Sequence, residues 1–277
     1  MIKDVRVTGL WIYPIKSCQG ISVDEIQIVK TGPQFDRQFM IVDQMNQVLT
    51  LRTDKKLAGI RTVIQDDILE ISFLLSKTNQ KINLNLKKNS KIIQEITLWD
   101  STLLAGVESD EVNLALSQYL EKSVKLLRYQ SESFRDMGLY KTSSVQETMF
   151  TDANPILLTN EDSLKNINQK LESQNFEPSN MNRFRANIII SGLEAYGEDK
   201  IKSLQIGDVV FSKPKLCSRC VIVNMDENSG DIVSKETLKN LPLHKFEKGP
   251  KIIFGQYLTP ENLGVIYKGA VCKVQFD

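Results

Sequence analysis

The sequence predicts a mainly β protein of the α+β class, a barrel-like body with a few helices packed outside it. Three observations carry that expectation. Short runs rich in Val, Ile, Leu and aromatic residues recur along most of the 277 residues, bounded by Gly, Pro, Asn and Asp. Few stretches place apolar residues at helical spacing. Two segments, Leu204–Phe211 and Val265–Cys272, both read strand, glycine turn, strand, a device common at barrel corners. Their echo is too short to be a repeat.

Taken in order, Val5–Tyr13 and Ile21–Val29 are expected strands on either side of Pro14–Gly20. The proline, glycine and small polar residues of that connection mark an exposed turn. Phe35–Val42 and Val48–Arg52 are expected to pair as a hairpin across Asp43–Gln47. Weaker strands follow at Arg61–Gln65, Ile68–Leu74, Ile82–Leu86 and Ile92–Leu98, with the polar run Lys77–Lys91 read as a surface hairpin tip. Ser109, Asp110 and Glu111 open a helix with acidic residues at its positive end, and Val112, Ala115, Leu116, Tyr119 and Leu120 share its apolar face. Val124–Tyr129 is another strand. Gln130–Phe150 lacks apolar periodicity and is the expected flexible crossing between two halves. Ile156–Leu158 is then a short strand, and Thr159–Asp162 starts a helix reaching Leu171 with Leu164, Ile167 and Leu171 on its apolar face. Asn187–Ser191 is a buried strand that stops at Gly192.

The totals exclude several classes. A formal net charge of +1 gives no bulk attraction to nucleic acid or an anionic membrane. No apolar run approaches the roughly 18 residues of a membrane span, and Met1–Arg6 has no apolar leader segment, so a cytoplasmic protein with reduced thiols is expected. The single histidine, His244, rules out multi-histidine metal sites and reads as a surface residue. The phosphate-cradling glycine loops of nucleotide-binding folds are missing, which disfavours a nucleotide held that way.

Two of the four cysteines, Cys217 and Cys220, lie three residues apart with Arg219 between them. The β-branched run Val221–Val223 reads as a strand opened by Cys220, and alternation along it turns the two sulfurs apart. Cys220 is then a candidate single thiolate ligand and Cys217 its neighbour. Four readings stand together. Half a zinc knuckle needs two more ligands, and only Cys18 and Cys272 remain. A redox pair belongs at a helix start rather than before a strand. Plain buried cysteines need no partner. A thiolate on a soft or high-valent metal is favoured by Arg219, whose charge would hold the sulfur ionised.

A second constellation is cationic: Lys16 and Ser17 in a turn, Arg37 entering a strand, Arg52 closing the hairpin, and Arg183 and Arg185 around Phe184. A lysine, a hydroxyl, backbone N–H groups and a guanidinium suit a terminal phosphate. Each alone reads first as a solvated charge. A third is Thr151–Pro155, whose loop can set Asp152 and Asn154 at a pocket mouth or simply form an Asx turn into Pro155.

Together these pieces resemble the MOSC-domain proteins with their N-terminal β-barrel partner domain, and among them the amidoxime-reducing component of mitochondria and its bacterial relatives. The matching stretches are Tyr13–Gly20, Phe35–Val42, Phe184–Gly192, Ile206–Val209, Cys217–Cys220 and Phe254–Tyr257, in family order over nearly the whole chain. Residues 65–100 and 130–148 match the pattern poorly. The resemblance implies a MOSC-type β-barrel over 126–277, an N-terminal MOSC-associated barrel domain over 1–125, and a molybdenum cofactor, Mo-molybdopterin, between them. By motif position Cys220 would be the metal's thiolate ligand, and Cys220 and Asp152 the catalytic positions. Lys16, Ser17 and Arg37 would hold the phosphate, and Arg185 and Asn187 the pterin. Arg52, Asp152, Asn154, Ser218 and Arg219 complete the implied cofactor-binding set.

The implied reaction is reduction of small N-hydroxylated compounds, N–OH to N–H, with oxygen passing to the reduced metal, which carries the redox chemistry. Two alternatives remain: a non-catalytic carrier of the cofactor or of sulfur, and a zinc-stabilised interaction protein. Three departures from the family pattern are visible. Ala186 stands where relatives often have proline, Ala153 and Asn154 replace a hydroxyl-bearing pair, and too few cysteines follow Cys220 for an iron–sulfur domain. Electrons are therefore expected from a separate protein of ferredoxin, flavoprotein or cytochrome type.

Overall fold

The computed structural model describes residues 4–74, 80–138, 141–213 and 215–276. Strands dominate. The largest sheet runs in the order Ile21–Val23, Arg6–Ile12, Ile188–Ser191, Ile156–Asn160, Lys251–Pro260, Val209–Ser212, Ile201–Ile206, Cys272–Phe276, with Leu216–Ser218 and Leu243–His244 also pairing with Lys251–Pro260. Its far end returns to its start. Cys272 N–H donates to Val5 O at 2.8 Å, Val7 N–H to Ala270 O at 3.0 Å, and Arg6 bridges Val271. The result is barrel-like, and one core fills it, including Val7, Leu10, Leu158, Ile188, Ile190, Leu204, Phe211 and Leu258.

One pair in this sheet is parallel, Ile156–Asn160 beside Ile188–Ser191, and the helix Glu161–Ser173 makes the crossover between them. The side chain of Asn160 accepts from Asp162 N–H and caps that helix, a contact worth about 1 kcal/mol. Ile167 and Leu171 bury its apolar face.

Two smaller sheets build the other body: Phe39–Asp43, Val124–Tyr129, Ser101–Val107 and Ile92–Leu98 in one, and Ile60–Gln65, Ile68–Phe73 and Lys81–Asn85 in the other. The third, Gly264–Tyr267, Glu25–Val29 and Gly32–Pro33, joins chain from both termini. Phe39–Asp43 is buried on both faces. Phe39 and Ile41 enter a core with Ile15, Leu57, Ile60 and Leu116, while Met40 and Val42 enter another with Leu98, Leu127 and Phe150.

Several expectations change. Val221–Asn224 is a 3₁₀ turn, preceded by the strand Leu216–Ser218. Ile222 and Val223 pack into different clusters. Val48–Arg52 makes one bridge, Val42 to Val48, and then turns, because Thr50 O accepts the Thr53 and Asp54 N–H groups and the Thr53 hydroxyl takes Thr50 N–H. Ile21–Val29 divides at Asp24 to serve two sheets. Leu204–Phe211 is a true hairpin, but Gly264–Tyr267 and Cys272–Phe276 belong to different sheets. The strand Ser101–Val107, joined to Ile92–Leu98 through Trp99 and Asp100, is additional to the expected set. The crossing over 130–150 is packed rather than loose: Arg135, Val145, Glu147, Thr148 and Phe150 are buried. Residues 139 and 140 of that crossing, and 77–79 of the expected hairpin tip, lie outside the described residues.

The N-terminal strand Arg6–Ile12 thus pairs with Ile188–Ser191, and Glu25–Val29 with Gly264–Tyr267. Between them the chain crosses into the other body at Tyr13–Gly20, and the cavity described next forms at that crossing.

Candidate functional site

Leaving its strand, the chain turns sharply at Ile15–Ser17. Ile15 bridges Phe39, Lys16 N–H donates to Phe39 O at 2.8 Å, and Ser17 takes a left-handed φ of 67°. That geometry sends the Lys16 side chain inward, where it is only 4% exposed. Its ammonium donates to Phe150 O at 3.0 Å and pairs with the Asp152 carboxylate. Burial lowers the Lys16 pKa, and Asp152 opposes that shift. Asp152 itself is held below the usual carboxylate range: desolvation at the cavity wall pushes it up, and Lys16, with Arg37 and Arg185, more than offsets this.

Arg37 is fixed by a buried clamp. The Asp36 carboxylate accepts from Tyr13 N–H at 2.8 Å, Asn187 Nδ2 at 3.0 Å and Arg37 Nη1 at 2.5 and 2.7 Å. Asn187 Oδ1 accepts from Leu157 N–H and from Arg37 Nη1, each at 3.2 Å, and Asn187 Nδ2 also donates to Trp11 O at 3.1 Å. The Asn187 amide is therefore engaged with protein on both ends. The Tyr13 ring lies between two guanidiniums, 4.3 Å from Arg37 and 4.4 Å from Arg185. Burial lifts the Tyr13 hydroxyl to about 12 against those two charges, so it stays protonated and donates to Ala186 O at 3.2 Å.

Arg185 follows the 3₁₀ turn Met181–Phe184 with φ 55°, and Arg37 has φ 49°. Together with Ser17 they occupy a backbone region that non-glycine residues visit rarely, and such outliers gather where structure over-determines them. Arg185 Nη1 donates to Cys18 O at 2.7 Å while its Nη2 is buried without a partner. Burial, and next to it Arg37, lowers the Arg185 pKa.

The fourth wall is Leu216–Cys220. Cys217 is buried and Cys220, capping the turn Val221–Asn224, is partly exposed. Arg219 Nη1 donates to Cys217 Sγ at 3.0 Å and Nη2 to Phe184 O at 2.5 Å. The guanidinium expected to hold the Cys220 sulfur thus bonds to Cys217, because the strand Leu216–Ser218 points Cys217 inward beneath it. Burial raises the Tyr257 pKa, and the same Cys217 adds to the rise.

One cavity collects these groups: Lys16, Ser17, Arg37, Asp152, Asn154, Arg185, Asn187, Ser218, Arg219 and Cys220 all line it. A second chamber shares Leu51, Arg183, Arg185 and Ile222 as a common wall and adds Tyr13, Cys18 and Glu227. Asp152 stands at the opening, its side chain 70% exposed. Arg52 is not part of the cavity. Its neighbour Leu51 takes the inward position, and Arg52 faces an outer bowl with Met45, Thr50 and Trp99.

Sequence reasoning missed Asp36, Tyr13 and Tyr257 as positioning groups, although each sits inside a matched stretch. The alternation of charge in Asp36–Arg37, and an aromatic next to Pro14, were the available signals. Among the described residues no three His, Cys, Asp or Glu side chains gather as a metal cage, so Cys217 and Cys220 have no zinc-completing partners there.

Chemically, five cations, Lys16, Arg37, Arg183, Arg185 and Arg219, face one carboxylate, Asp152, across a space that also presents a thiol. Arg185 Nη2, Arg219 Nε and Asn154 Oδ1 are buried with no hydrogen-bond partner, whereas Arg183 Nε lies 3.7 Å from the Glu227 carboxylate. Buried polar groups left open in this way carry a cost of about 1–3 kcal/mol each unless a ligand satisfies them. The charge and the open donors of the cavity suit an anionic ligand.

The family model described as the MOSC N-terminal beta barrel domain matches residues 4–123, and that described as the MOSC domain matches 145–273. Molybdenum cofactor sulfurase of Oryza sativa subsp. japonica is 30% identical over 277 residues, covering 95% of this chain and 33% of that protein. Mitochondrial amidoxime-reducing component 1 is 29% identical in Mus musculus and 28% in Homo sapiens, covering 95% of this chain and 80% and 81% of those proteins. The chain thus spans about a third of the plant sulfurase's length. With both models matched in order along it, the chain belongs to the MOSC-domain proteins that carry the N-terminal MOSC β-barrel domain.

Proposed function

We propose that this protein is a molybdenum-cofactor-dependent oxidoreductase that reduces small N-hydroxylated compounds to their N–H forms with electrons from a separate donor protein. The observation that carries the reading is the meeting of a partly exposed thiol, Cys220, with five cationic side chains in one cavity. The names of the amidoxime-reducing relatives support it.

The residues present fit a phosphorylated pterin with a thiolate-ligated metal. Unsatisfied buried donors on Arg185 and Arg219 suit an anionic, acceptor-rich group. Lys16, Ser17 and Arg37 would hold the phosphate, and Arg185 the pterin, with Asn187 fixing both arginines' surroundings from behind. Ser218 and Asn154 would add polar contacts at the walls. Cys220 would supply the single protein sulfur. When bound, the cofactor supplies two-electron oxygen-transfer chemistry. The chain's own part is to orient and to manage protons. Asp152, kept ionised by Lys16 at the mouth, can accept an N–H from the substrate and orient its reacting head. The four free thiols suit a reducing compartment, the cytoplasm in this reading.

Expression in a host that makes the cofactor, followed by metal analysis and turnover of an amidoxime with a chemical reductant, tests the proposal. Stoichiometric molybdenum and turnover, both lost in Cys220→Ala, support it; a Cys220→Ala protein keeping both would refute the assigned ligand. A second reading, a module that carries the cofactor or its sulfur without reducing substrate, is favoured by the plant sulfurase likeness. Metal-loaded protein with no amidoxime turnover would select it.

A further inference from the structure

The second chamber is the roomier of the two, about 260 Å³ against 130 Å³, and Leu51, Arg183, Arg185 and Ile222 line both. Trp11, Ala58 and Met225 give it apolar sides, and Asp226 and Glu227 bring carboxylates to it. The first cavity offers a ligand mainly donors. The second sets acceptors beside the same arginines.

The segment that carries those carboxylates is tied down on either side of them. Gln19 Nε2 donates to Glu227 O at 3.2 Å and to Asn228 Oδ1 at 3.1 Å, and Lys55 Nζ pairs with Asp231 at 2.6 Å. Asp226 is engaged in the turn itself, its Oδ1 accepting Asn228 N–H at 3.0 Å and Ser229 N–H at 2.9 Å. Glu227 is held more lightly. One of its oxygens accepts from Asn180 Nδ2 at 2.9 Å, and the other lies 3.7 Å from Arg183 Nε, beyond hydrogen-bond reach. A carboxylate has about four acceptor sites, so this one keeps open lone pairs where it lines the chamber. Arg185, pinned by Cys18 O and the Tyr13 ring, keeps Nη2 open on the shared wall.

A carboxylate that can take two N–H groups, close to a guanidinium that can give one, matches a flat ring whose edge reads donor, donor, acceptor. A 2-amino-4-oxopterin has that edge: its amino group and N3–H donate and its O4 accepts. We infer that the second chamber receives the pterin ring of the cofactor, with Glu227 accepting from the 2-amino and N3–H groups and Arg185 Nη2 donating to O4. The inference rests on the cofactor reading above. It gives recognition of the ring to Glu227, a residue outside every stretch that carries the family resemblance.

Pterin and lumazine differ only at ring position 2, an amino group in one and a carbonyl in the other, and both fluoresce. Kd for each is measured by fluorescence titration of the metal-free full chain, as wild type, Glu227→Gln and Glu227→Ala. Molybdenum per chain is measured for all three after expression in a host that makes the cofactor. Wild type is expected to favour pterin about tenfold or more, the usual strength of a hydrogen bond to a charged group. Glu227→Gln, which keeps an acceptor for Asn180, and Glu227→Ala are both expected to lose most of that preference and to retain severalfold less molybdenum. Variants that keep the preference overturn the inference. Wild type that carries molybdenum yet binds neither ring, or both equally, also overturns it and leaves the cofactor reading standing. Wild type without molybdenum overturns that reading and the inference with it.

Discussion

The Asn187 amide donates to the Asp36 carboxylate at 3.0 Å across 151 positions of sequence. This bond holds two bodies in register and keeps Arg37 aimed at the cavity. Asn187→Ala removes four hydrogen bonds at a site that is 1% exposed and leaves Leu157 N–H and one Asp36 contact unmet. The expected loss is roughly 2–4 kcal/mol of stability, read as a lower urea midpoint. A midpoint within experimental error of wild type would show that the clamp is not structural.

Cys217 and Cys220 are expected to separate by phenotype. Cys220→Ala loses the metal with little change in melting temperature, since its thiol is partly exposed. Cys217→Ala leaves Arg219 Nη1 without its acceptor and costs about 1–2 kcal/mol, with most of the metal retained. Cys217→Ser, which keeps an acceptor, recovers part of that loss. Metal content and thermal melts of the three variants decide the matter.

Lys16 and Arg52 share one cationic group in the sequence and are parted by the structure. Lys16→Gln removes a buried charge and abandons Asp152, so cofactor retention should fall at least severalfold. Arg52→Gln, on the outer bowl, should leave retention at the wild-type level. Equal losses in both variants would return Arg52 to the site.

Glu198 gives the fold a pH dependence of known sign. Burial lifts its carboxyl to about 7, with Ser163 opposing and Asp199 adding to the rise. The folded protein then keeps a proton that the unfolded chain gives up from near 4.5, so stability falls as pH rises from about 4.5 to 7. The group's contribution is on the order of 3 kcal/mol. Glu198→Gln, which keeps an acceptor for Ser163, should flatten the slope of the urea midpoint across that window. A Gln variant with an unaltered slope would point to another group.

Much of this was legible in the residues themselves. The strands at Arg6–Ile12, Ile68–Phe73, Val124–Tyr129 and Ile188–Ser191, and the helices Asp110–Leu120 and Glu161–Ser173, stand where apolar runs and periods place them. Val221–Asn224 misled because a three-residue β-branched run carries no period, and tertiary packing on two sides chose the turn. Arg52 misled because proximity in a motif does not tell which of two adjacent residues points inward. The aim of Arg219 at Cys217 depended on a strand direction that only the pairing of Leu216–Ser218 with Lys251–Pro260 supplies.

The pairing of Arg6–Ile12 with Ile188–Ser191, and of Val5 and Val7 with the 270–272 segment, also sets a schedule for biosynthesis. The strand Arg6–Ile12 is made well before residues 188–191 and 270–272 and has no neighbour from them until they have followed it. Contacts this remote in sequence form slowly and late. A ligand seated where that strand ends would then meet a finished site only once the 188–191 and 270–272 segments have joined the sheet.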